Sequence, residues 1–232
     1  MPGTKRRLIV LLVVAALLAV ALCVKPLFRG GSLAAHALAG DPGRRIEAIH
    51  KMADGGDSGD VEMLFGIVQD PDTRVAVEVC RSLSRVQRPS NPINLDTSRL
   101  VAATDDPRPQ VREAAVVAVG AIGPNSSVGV LLEKLRNDPS PDVQAAAADA
   151  LGRRRALDAM PALLDLLDSP SLQVRRSAAF AITSVWMRDY GFNPDDPPGK
   201  RRELAKGMRA AWDWYVQGPA YPYLKAKLEK QP

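Results

Sequence analysis

The feature that most constrains the fold of this chain is an Asp-Pro or Ser-Pro step that recurs four times, each time followed by a Val-led, Ala-rich segment. The steps begin at Asp70, Asp106, Asp138 and Ser169. Five residues after each start stands a valine, namely Val75, Val111, Val143 and Val174. The intervals of 36, 32 and 31 residues indicate a solenoid, because a period of about 20–50 residues is typical of stacked repeats. A solenoid usually acts by presenting a surface to a partner.

Each repeat is predicted to be a hairpin of two helices. In the copy that starts at Asp138, Ser140 can cap a helix N-terminus and Pro141 suits the first helical position. Apolar residues follow at helical spacing, and a second, leucine-rich segment precedes the next step. One hairpin cannot bury both apolar stripes alone, so the hairpins are expected to stack.

The segment from Asp106 to Gly120 resembles a HEAT repeat of the bacterial, bilin-lyase-like type. The resemblance lies in the Asp-Pro step, the Val111-Arg112 pair and the alanines that follow. It extends over about residues 41–188. It implies an all-α fold, a right-handed α-α superhelix of about five helix hairpins, which we assign to residues 31–190.

In that family the Arg after the Val and the Asp before the Pro resemble the members of side-chain ladders, which are rows of contacts that join neighbouring repeats. Arg112 and Arg175 fit the Arg position, whereas Ala76 and Gln144 depart from it. The resemblance therefore implies a ladder that is incomplete in this chain.

The N-terminal residues 1–30 contain an apolar run, Leu8–Val24, behind a basic flank at residues 5–7. The run is 17 residues long, which is at the short end of the helix length that spans a bilayer. It predicts a single transmembrane signal-anchor ahead of the solenoid, with the N-terminus cytoplasmic and the repeat domain extracytoplasmic. The alternative is secretion after cleavage near Ala21, where a small-x-small site stands.

The C-terminal residues 191–232 form an aromatic tail, since every Trp and Tyr of the chain lies at or after Trp186. This tail resembles those that follow HEAT repeats in membrane or exported bacterial proteins, notably planctomycete ones. Large aromatic side chains can cover the apolar end of a solenoid, and they are also favoured at protein interfaces. Trp212, Trp214 and Tyr215 are therefore candidates both for a cap and for a partner-binding site.

The sequence offers little chemistry for catalysis. His36 and His50 are the only histidines, and no HExxH, CxxC or GxSxG motif is present. We therefore predict no enzyme activity, no catalytic residues, no cofactor and no metal ligands. Cys80 is interpreted as a small buried residue, and the triplet at residues 153–155 as a basic helix end.

The chain has a formal net charge of +5, and its excess basic residues lie at the N-terminus and in the tail. We interpret the basic residues of the tail as side chains on a solvent-exposed face. The second helices carry mixed charges and no basic stripe, so nucleic acid is not the predicted partner. The predicted function is a membrane-anchored protein-interaction scaffold, with a protein and the membrane as partners. The alternatives are an enzyme-associated HEAT protein of the bilin-lyase-like class, which needs a polar pocket on the inner face, and a cytoplasmic nucleic-acid-binding HEAT protein, which needs a basic inner stripe.

Overall fold

The computed structural model describes residue 33 and residues 35–55, 58–86 and 96–229. Within these ranges the chain is helix and connecting loop, with no strand. Three short 3-10 turns, Asn125–Ser127, Leu157–Ala159 and Leu166–Asp168, lie next to the second helices of two repeats. The α-helices are α1 (Pro42–Gly55), α2 (Ser58–Gly66), α3 (Thr73–Arg85), α4 (Ser98–Ala103), α5 (Pro109–Ile122), α6 (Val128–Asn137), α7 (Pro141–Arg153), α8 (Met160–Asp165), α9 (Leu172–Trp186), α10 (Pro198–Gln217) and α11 (Ala220–Glu229).

The helices form two layers. The first helices of successive repeats are α1, α3, α5, α7 and α9, and each packs against the next. The shorter second helices, α2, α4, α6 and α8, form the other layer. The tail helix α10 packs against α8 and the turn that follows it, so it extends this second layer. The predicted all-helical repeat solenoid is thus confirmed.

The core lies between the two layers. The valines that follow the four steps are all fully buried: Val75, Val111, Val143 and Val174. Leucines of the second helices are also fully buried, and they belong to the same core cluster as Val75 and Val143: Leu100, Leu131 and Leu163. The apolar stripes that defined the repeat in the sequence therefore form its continuous core.

The starts of the first helices differ in how they are capped. Asp72 caps α3 by accepting a hydrogen bond from the Arg74 N–H at 2.9 Å, and Ser171 caps α9 through the Val174 N–H at 3.4 Å. Ser140, which the sequence suggested as a cap for α7, makes no side-chain cap hydrogen bond. Ser140 does stand at the N-cap position of α7, where its N–H donates to the preceding Asp138 at 2.9 Å.

Two glycines allow neighbouring first helices to touch. A Cβ atom placed on Gly120 would lie 2.5 Å from the Cβ of Ala150, and one on Gly152 would lie 2.7 Å from the Cα of Ala181. These positions are equivalent in their repeats, fourteen residues after the start of the step. The distance between packed helices depends on the side chains at the contact, so glycine sets the spacing of the first layer.

Replacing Gly152 by Ala should destabilise the solenoid, because the new methyl group would overlap backbone atoms of α9. We expect a loss of about 1–3 kcal/mol in the free energy of unfolding, measured by urea denaturation. The matched control is Gly207→Ala in α10, where a Cβ would meet nothing within 4 Å. That change should raise stability by about 0.5–1 kcal/mol. Equal effects at the two sites would contradict the packing described.

The predicted membrane localisation is corrected by the structure. No helix in the described part of the chain is long and apolar enough to cross a membrane. Spanning takes about 20 mainly apolar residues, whereas α10, with 20 residues, carries charges such as Lys200, Arg201 and Lys206. The run Leu8–Val24, on which the anchor and its secreted alternative rested, lies outside the described residues.

Candidate functional site

A buried aspartate at each step organises the start of a first helix. Asp70, Asp106 and Asp138 are buried, and each accepts a hydrogen bond of 2.9 Å from the backbone N–H two residues later. In the fourth copy the hydroxyl of Ser169 accepts from the Ser171 N–H at 3.3 Å. Such turns direct the chain into the helix that follows, so these residues position the repeat.

Arg112 joins two repeats. Its guanidinium donates to both carboxylate oxygens of Asp138 in the next repeat, at 2.8 and 2.9 Å. A third nitrogen donates to the carbonyls of Asp106 and Pro107 in its own repeat, at 3.0 and 3.3 Å. The two side chains are almost fully buried, which makes this bidentate pair a strong contact.

Arg175 repeats the inner half of this arrangement at the end of the array. It donates to the carbonyls of Ser169 and Pro170 at 2.8 and 3.1 Å. The described chain has no further repeat to supply an aspartate, and Arg175 instead donates to the carbonyl of Pro194 in the segment that leads to α10, at 2.9 Å. The same residue type thus connects repeat to repeat and repeat to tail.

Other residues replace the missing ladder arginines. Gln144 keeps the contact within its own repeat, donating to the Asp138 carbonyl at 2.9 Å. Where Ala76 stands at the Arg position, Arg108 reaches back from the next repeat to the carbonyls of Asp70 and Pro71, at 2.9 and 3.0 Å. The link between these repeats is therefore made from the opposite side.

The buried aspartates make stability sensitive to acid. Hydrogen bonds from Arg108 hold the pKa of Asp106 below its ordinary value, against the desolvation that raises it. For Asp138 desolvation is the largest single influence and raises the pKa, but hydrogen bonds from Arg112 and Ser140 together outweigh it and the pKa is lowered. Such a carboxyl contributes stability above its unfolded pKa and loses that contribution as the pH falls through its folded pKa.

We therefore expect the urea midpoint of unfolding to be nearly constant at neutral pH and to fall below about pH 4, because an aspartate in an unfolded chain has a pKa of about 3.9. The double variant Asp106→Asn/Asp138→Asn should be less stable at pH 7, and its decline in acid should be shallower. An unchanged acid slope in the variant would show that other carboxyl groups carry the response.

Arg154 closes the C-terminus of a helix in the preceding repeat. It donates to the carbonyls of Gly120, Val119 and Pro124 at 2.9, 3.0 and 3.2 Å, and also to that of Gly123. From the sequence, the basic triplet at residues 153–155 was interpreted as the end of its own helix. The structure shows that Arg154 instead donates hydrogen bonds to the carbonyls at the C-terminus of α5. The remaining carbonyls of a helix end need such partners.

The three aromatic candidates from the tail do not act as one group. Trp212 is 4% exposed and lies in a cluster with Trp186, Tyr215 and Tyr221, at ring-centroid distances of 5.6 to 5.7 Å from each. Trp214, on the other side of α10, is 78% exposed. Trp212 and Tyr215 therefore pack α10 against the end of α9, while Trp214 faces solvent.

Charge also holds the tail on the solenoid. Three basic side chains of α10 and α11 pair with three aspartates of the repeat that starts at Asp138: Arg201 with Asp168 at 3.5 Å, Arg209 with Asp165, and Lys225 with Asp158 at 2.8 Å. The tail charges are thus not all a solvated face. Arg201 is largely buried, so its pairing orients the start of α10.

The outward face of α9 is where the first layer ends. Arg176, Phe180, Thr183 and Met187 lie along it at helical spacing. Thr183 is equivalent to Gly152, which in its own repeat contacts the next helix. On α9 that position is exposed, and so are Phe180 and Met187, at 58% and 73%. We call this four-residue surface the α9 end face.

The sequence analysis missed Phe180 and Met187, although a signal was available. The Pro-step pattern stops after Ser169, so the helix that follows it has no successor to cover its outward side. A large apolar residue on that side must then be exposed or covered by something else. The tail covers the second layer; on the α9 end face Asp195 pairs with Arg176 at 3.0 Å, while Phe180, Thr183 and Met187 remain exposed.

The surroundings of His50 and Cys80 are typical of structural residues. His50 Nε2 lies 2.8 Å from a carboxylate oxygen of Glu78. Burial raises the pKa of the Cys80 thiol to about 12. Among the residues that the structure describes, no group of three or more His, Cys, Asp or Glu side chains could hold a metal ion.

Comparison with known proteins identifies the repeats. Residues 97–183 match the family model for HEAT repeats. Comparison with curated proteins gives no match. The match is to HEAT repeats in general, and it supports neither the bilin-lyase-like type nor the resemblance of the tail to planctomycete proteins.

Several solved structures have a similar fold. An engineered protein, a Northeast Structural Genomics Consortium target, is 20% identical, with a TM-score of 0.53 over 87% of this chain and 94% of its own. A designed armadillo repeat protein in complex with peptide (KR)4 is 19% identical, with a TM-score of 0.52 over 85% and 95%. Another designed armadillo repeat protein is 20% identical, with a TM-score of 0.53 over 85% and 98%.

These likenesses agree with the stacking of the helices in two layers. At such identities they concern the fold and not the ligand. Residues 97–183 are thus similar to HEAT repeats, and the described part of this chain folds as an α-solenoid.

Proposed function

We propose that the chain is a protein-interaction scaffold that docks a partner at the C-terminal end of its solenoid. One observation carries the proposal. Of the large hydrophobic side chains that are exposed in the described residues, four of five lie at this end: Phe180, Met187, Trp214 and Tyr223, with Leu38 as the exception. Concentrated apolar exposure marks interaction surfaces, whereas single exposed residues are ordinary.

The repeat geometry indicates where a partner segment would bind. Each earlier first helix is covered on its outward side by its successor, at contacts such as Gly152 on Ala181. The α9 end face offers the same side of a helix, with Phe180 and Met187 in place of small residues. A partner segment that lies along α9 would bury them as the next helix of the array does elsewhere. Each fully buried side chain of this size contributes about 1.5–3 kcal/mol.

The tail divides into a supporting part and a contacting part. Trp212 and Tyr215 pack against Trp186 and fix α10 on the solenoid. Trp214 is free to contact a partner, and exposed tryptophans are frequent anchors of protein interfaces. The proposal thus assigns partner binding to Trp214 and a structural role to the other two candidates.

The structural neighbours support a role in protein binding. One of them, a designed armadillo repeat protein, is in complex with peptide (KR)4. A fold of stacked helices can therefore hold a peptide on its surface. Because the likeness is one of fold, the chemistry of this chain's partner must be inferred from its own exposed residues.

Site-specific photo-crosslinking tests the proposal. A photoreactive amino acid is placed at Phe180, at Trp214 or at Leu38, which is as exposed as Phe180 but lies at the opposite end. In the native host, positions 180 and 214 should give the same discrete crosslinked protein, and position 38 should not. The crosslinked protein, once purified, should bind the wild-type chain and lose affinity for Trp214→Ala. The same product from all three positions, or none from 180 and 214, would refute the proposed docking surface.

A further inference from the structure

An open cleft of about 470 Å³ adjoins the α9 end face, between the C-terminal ends of α7 and α9. Arg153 and Arg155 line one side of it, and Thr183, Met187 and Arg188 line the other. Three arginines therefore line a cleft that lies beside an exposed apolar surface.

The lining of this cleft carries a net positive charge, because it holds three arginines and one aspartate. Arg153, Arg155 and Arg188 form no ion pair among the described residues, although many other arginines of the chain do. The one carboxylate lining the cleft, Asp189, accepts a hydrogen bond of 2.8 Å from the Gly191 N–H.

Two neighbouring groups act on the arginines of the cleft. Asp149, one turn before Arg153, is hydrogen-bonded to Ser177 and also attracts Arg153. The guanidinium of Arg188 lies 5.2 Å from the centre of the Tyr190 ring, and Tyr190 in turn packs on Trp186 at 4.6 Å. A cation over an aromatic face is attracted to it, so this stacking positions Arg188 at the cleft without neutralising it.

The backbone of the cleft is strained at two points. Arg155 and Met187 have φ angles of 51° and 53°, and they are the non-glycine residues with positive φ in the described part of the chain. Glycine adopts this left-handed conformation at lower cost than a residue with a side chain. Met187 directly follows α9 and Arg155 comes two residues after α7, and both residues line the same cleft. Strain of this kind at one surface is a reason to look for function there.

We propose that this cleft, which we call the arginine cleft, binds carboxylate side chains of an acidic peptide segment whose apolar residues cover the α9 end face. Guanidinium groups hold carboxylates by paired hydrogen bonds, and Phe180 and Met187 supply the apolar contact. The inference rests on the proposed function, since it names the chemistry of the partner that docks at this end.

Fluorescence anisotropy with the purified full-length chain tests the proposal. The probe is a labelled synthetic peptide of repeated Glu-Glu-Leu-Phe units, and matched peptides carry Gln or Lys in place of every Glu. The Glu peptide should bind at least about tenfold more tightly than the Gln peptide, and its affinity should fall as salt is added, because exposed charges are screened. Equal binding of the Glu and Gln peptides would overturn the proposal, and so would displacement of the Glu peptide by an equal concentration of inorganic phosphate.

Two sets of variants distinguish binding at the arginine cleft from a general effect of the net charge of the chain. The triple variant Arg153→Gln/Arg155→Gln/Arg188→Gln should bind the Glu peptide more than about tenfold more weakly. Each exposed ion pair that is removed should lower the affinity about two- to fivefold. The control Arg99→Gln/Arg136→Gln/Arg202→Gln removes the same charge from exposed arginines elsewhere, and it should bind nearly as the wild type. Equal losses in both sets would overturn the proposal.

A single variant separates binding from folding. Arg155→Gly should weaken the Glu peptide about two- to fivefold, while its melting temperature stays unchanged or rises because the strained φ is relieved. A lower melting temperature with unchanged affinity would make Arg155 a structural residue and contradict its assignment. Crosslinking from position 180 that persists in the triple variant would refute the arginine cleft and leave the proposed function intact.

Discussion

Replacing Trp212 by Ala is expected to lower the free energy of unfolding by about 3–5 kcal/mol, the usual cost of removing a buried tryptophan. Its indole is 4% exposed and is in contact with the rings of Trp186, Tyr215 and Tyr221. The change would leave a cavity between α9 and α10, at the point where the tail is attached to the solenoid. Thermal and urea denaturation followed by circular dichroism measure the loss.

The matched control is Trp214→Ala, two residues away on the same helix. Because Trp214 is 78% exposed, its removal should change stability by no more than about 0.5 kcal/mol. The same variant should weaken partner binding, so the two tryptophans separate stability from function. Similar destabilisation by both changes would contradict the orientation of α10 described above.

The second large effect is expected at Arg112. Breaking a buried ion pair by removing one partner typically costs about 3–5 kcal/mol, because the other charge is left buried and uncompensated. Arg112→Ala would leave Asp138 in this condition, together with the carbonyls of Asp106 and Pro107. We therefore expect a marked fall in the urea midpoint and a loss of cooperativity between the repeats on either side.

A control and a double variant test the cause. Arg176 pairs with Asp195 at 3.0 Å with both side chains more than half exposed, so Arg176→Ala should cost no more than about 1 kcal/mol. The double variant Arg112→Ala/Asp138→Ala should be less destabilised than the sum of the two single changes, because residues in contact are not additive. Strict additivity would show that the pair does not couple the repeats.

The repeat architecture could be predicted from the sequence because one physical requirement recurs in each copy. Val111 and Val143 must face the core at the same point of every hairpin, and a fixed position relative to the Pro step therefore marks them. The buried Asp106 and Asp138 follow from the same register, since each closes the turn before a first helix.

Contacts between repeats were less predictable because they depend on the position of the neighbouring hairpin. Arg154 has the sequence context of a basic helix end, but the carbonyls that it reaches belong to the preceding repeat. Arg108 replaces the ladder residue missing at Ala76 from the opposite direction. A pattern read within one repeat carries no information on which neighbour a long side chain will meet.

The candidate binding surface was predicted only in part. The tail aromatics were recognised as a cap or a partner site, but the sequence did not show that Trp212 and Trp214 lie on opposite sides of α10. A helix advances about 100° per residue, so residues two apart diverge, and which of them faces the solenoid depends on how α10 docks. Phe180 and Met187 became candidates only when the uncovered side of α9 was known.

Hydrogen–deuterium exchange of the full-length chain, with and without its purified crosslinked partner, tests the central claim most directly. Amide protection reports local burial and opening along the chain. On binding, we expect added protection to be concentrated in residues 176–189 and 153–155 and around Trp214, with α1 to α4 unchanged. Protection confined to the exposed sides of α2, α4 and α6, with none on α9, would contradict a docking surface at the C-terminal end of the solenoid.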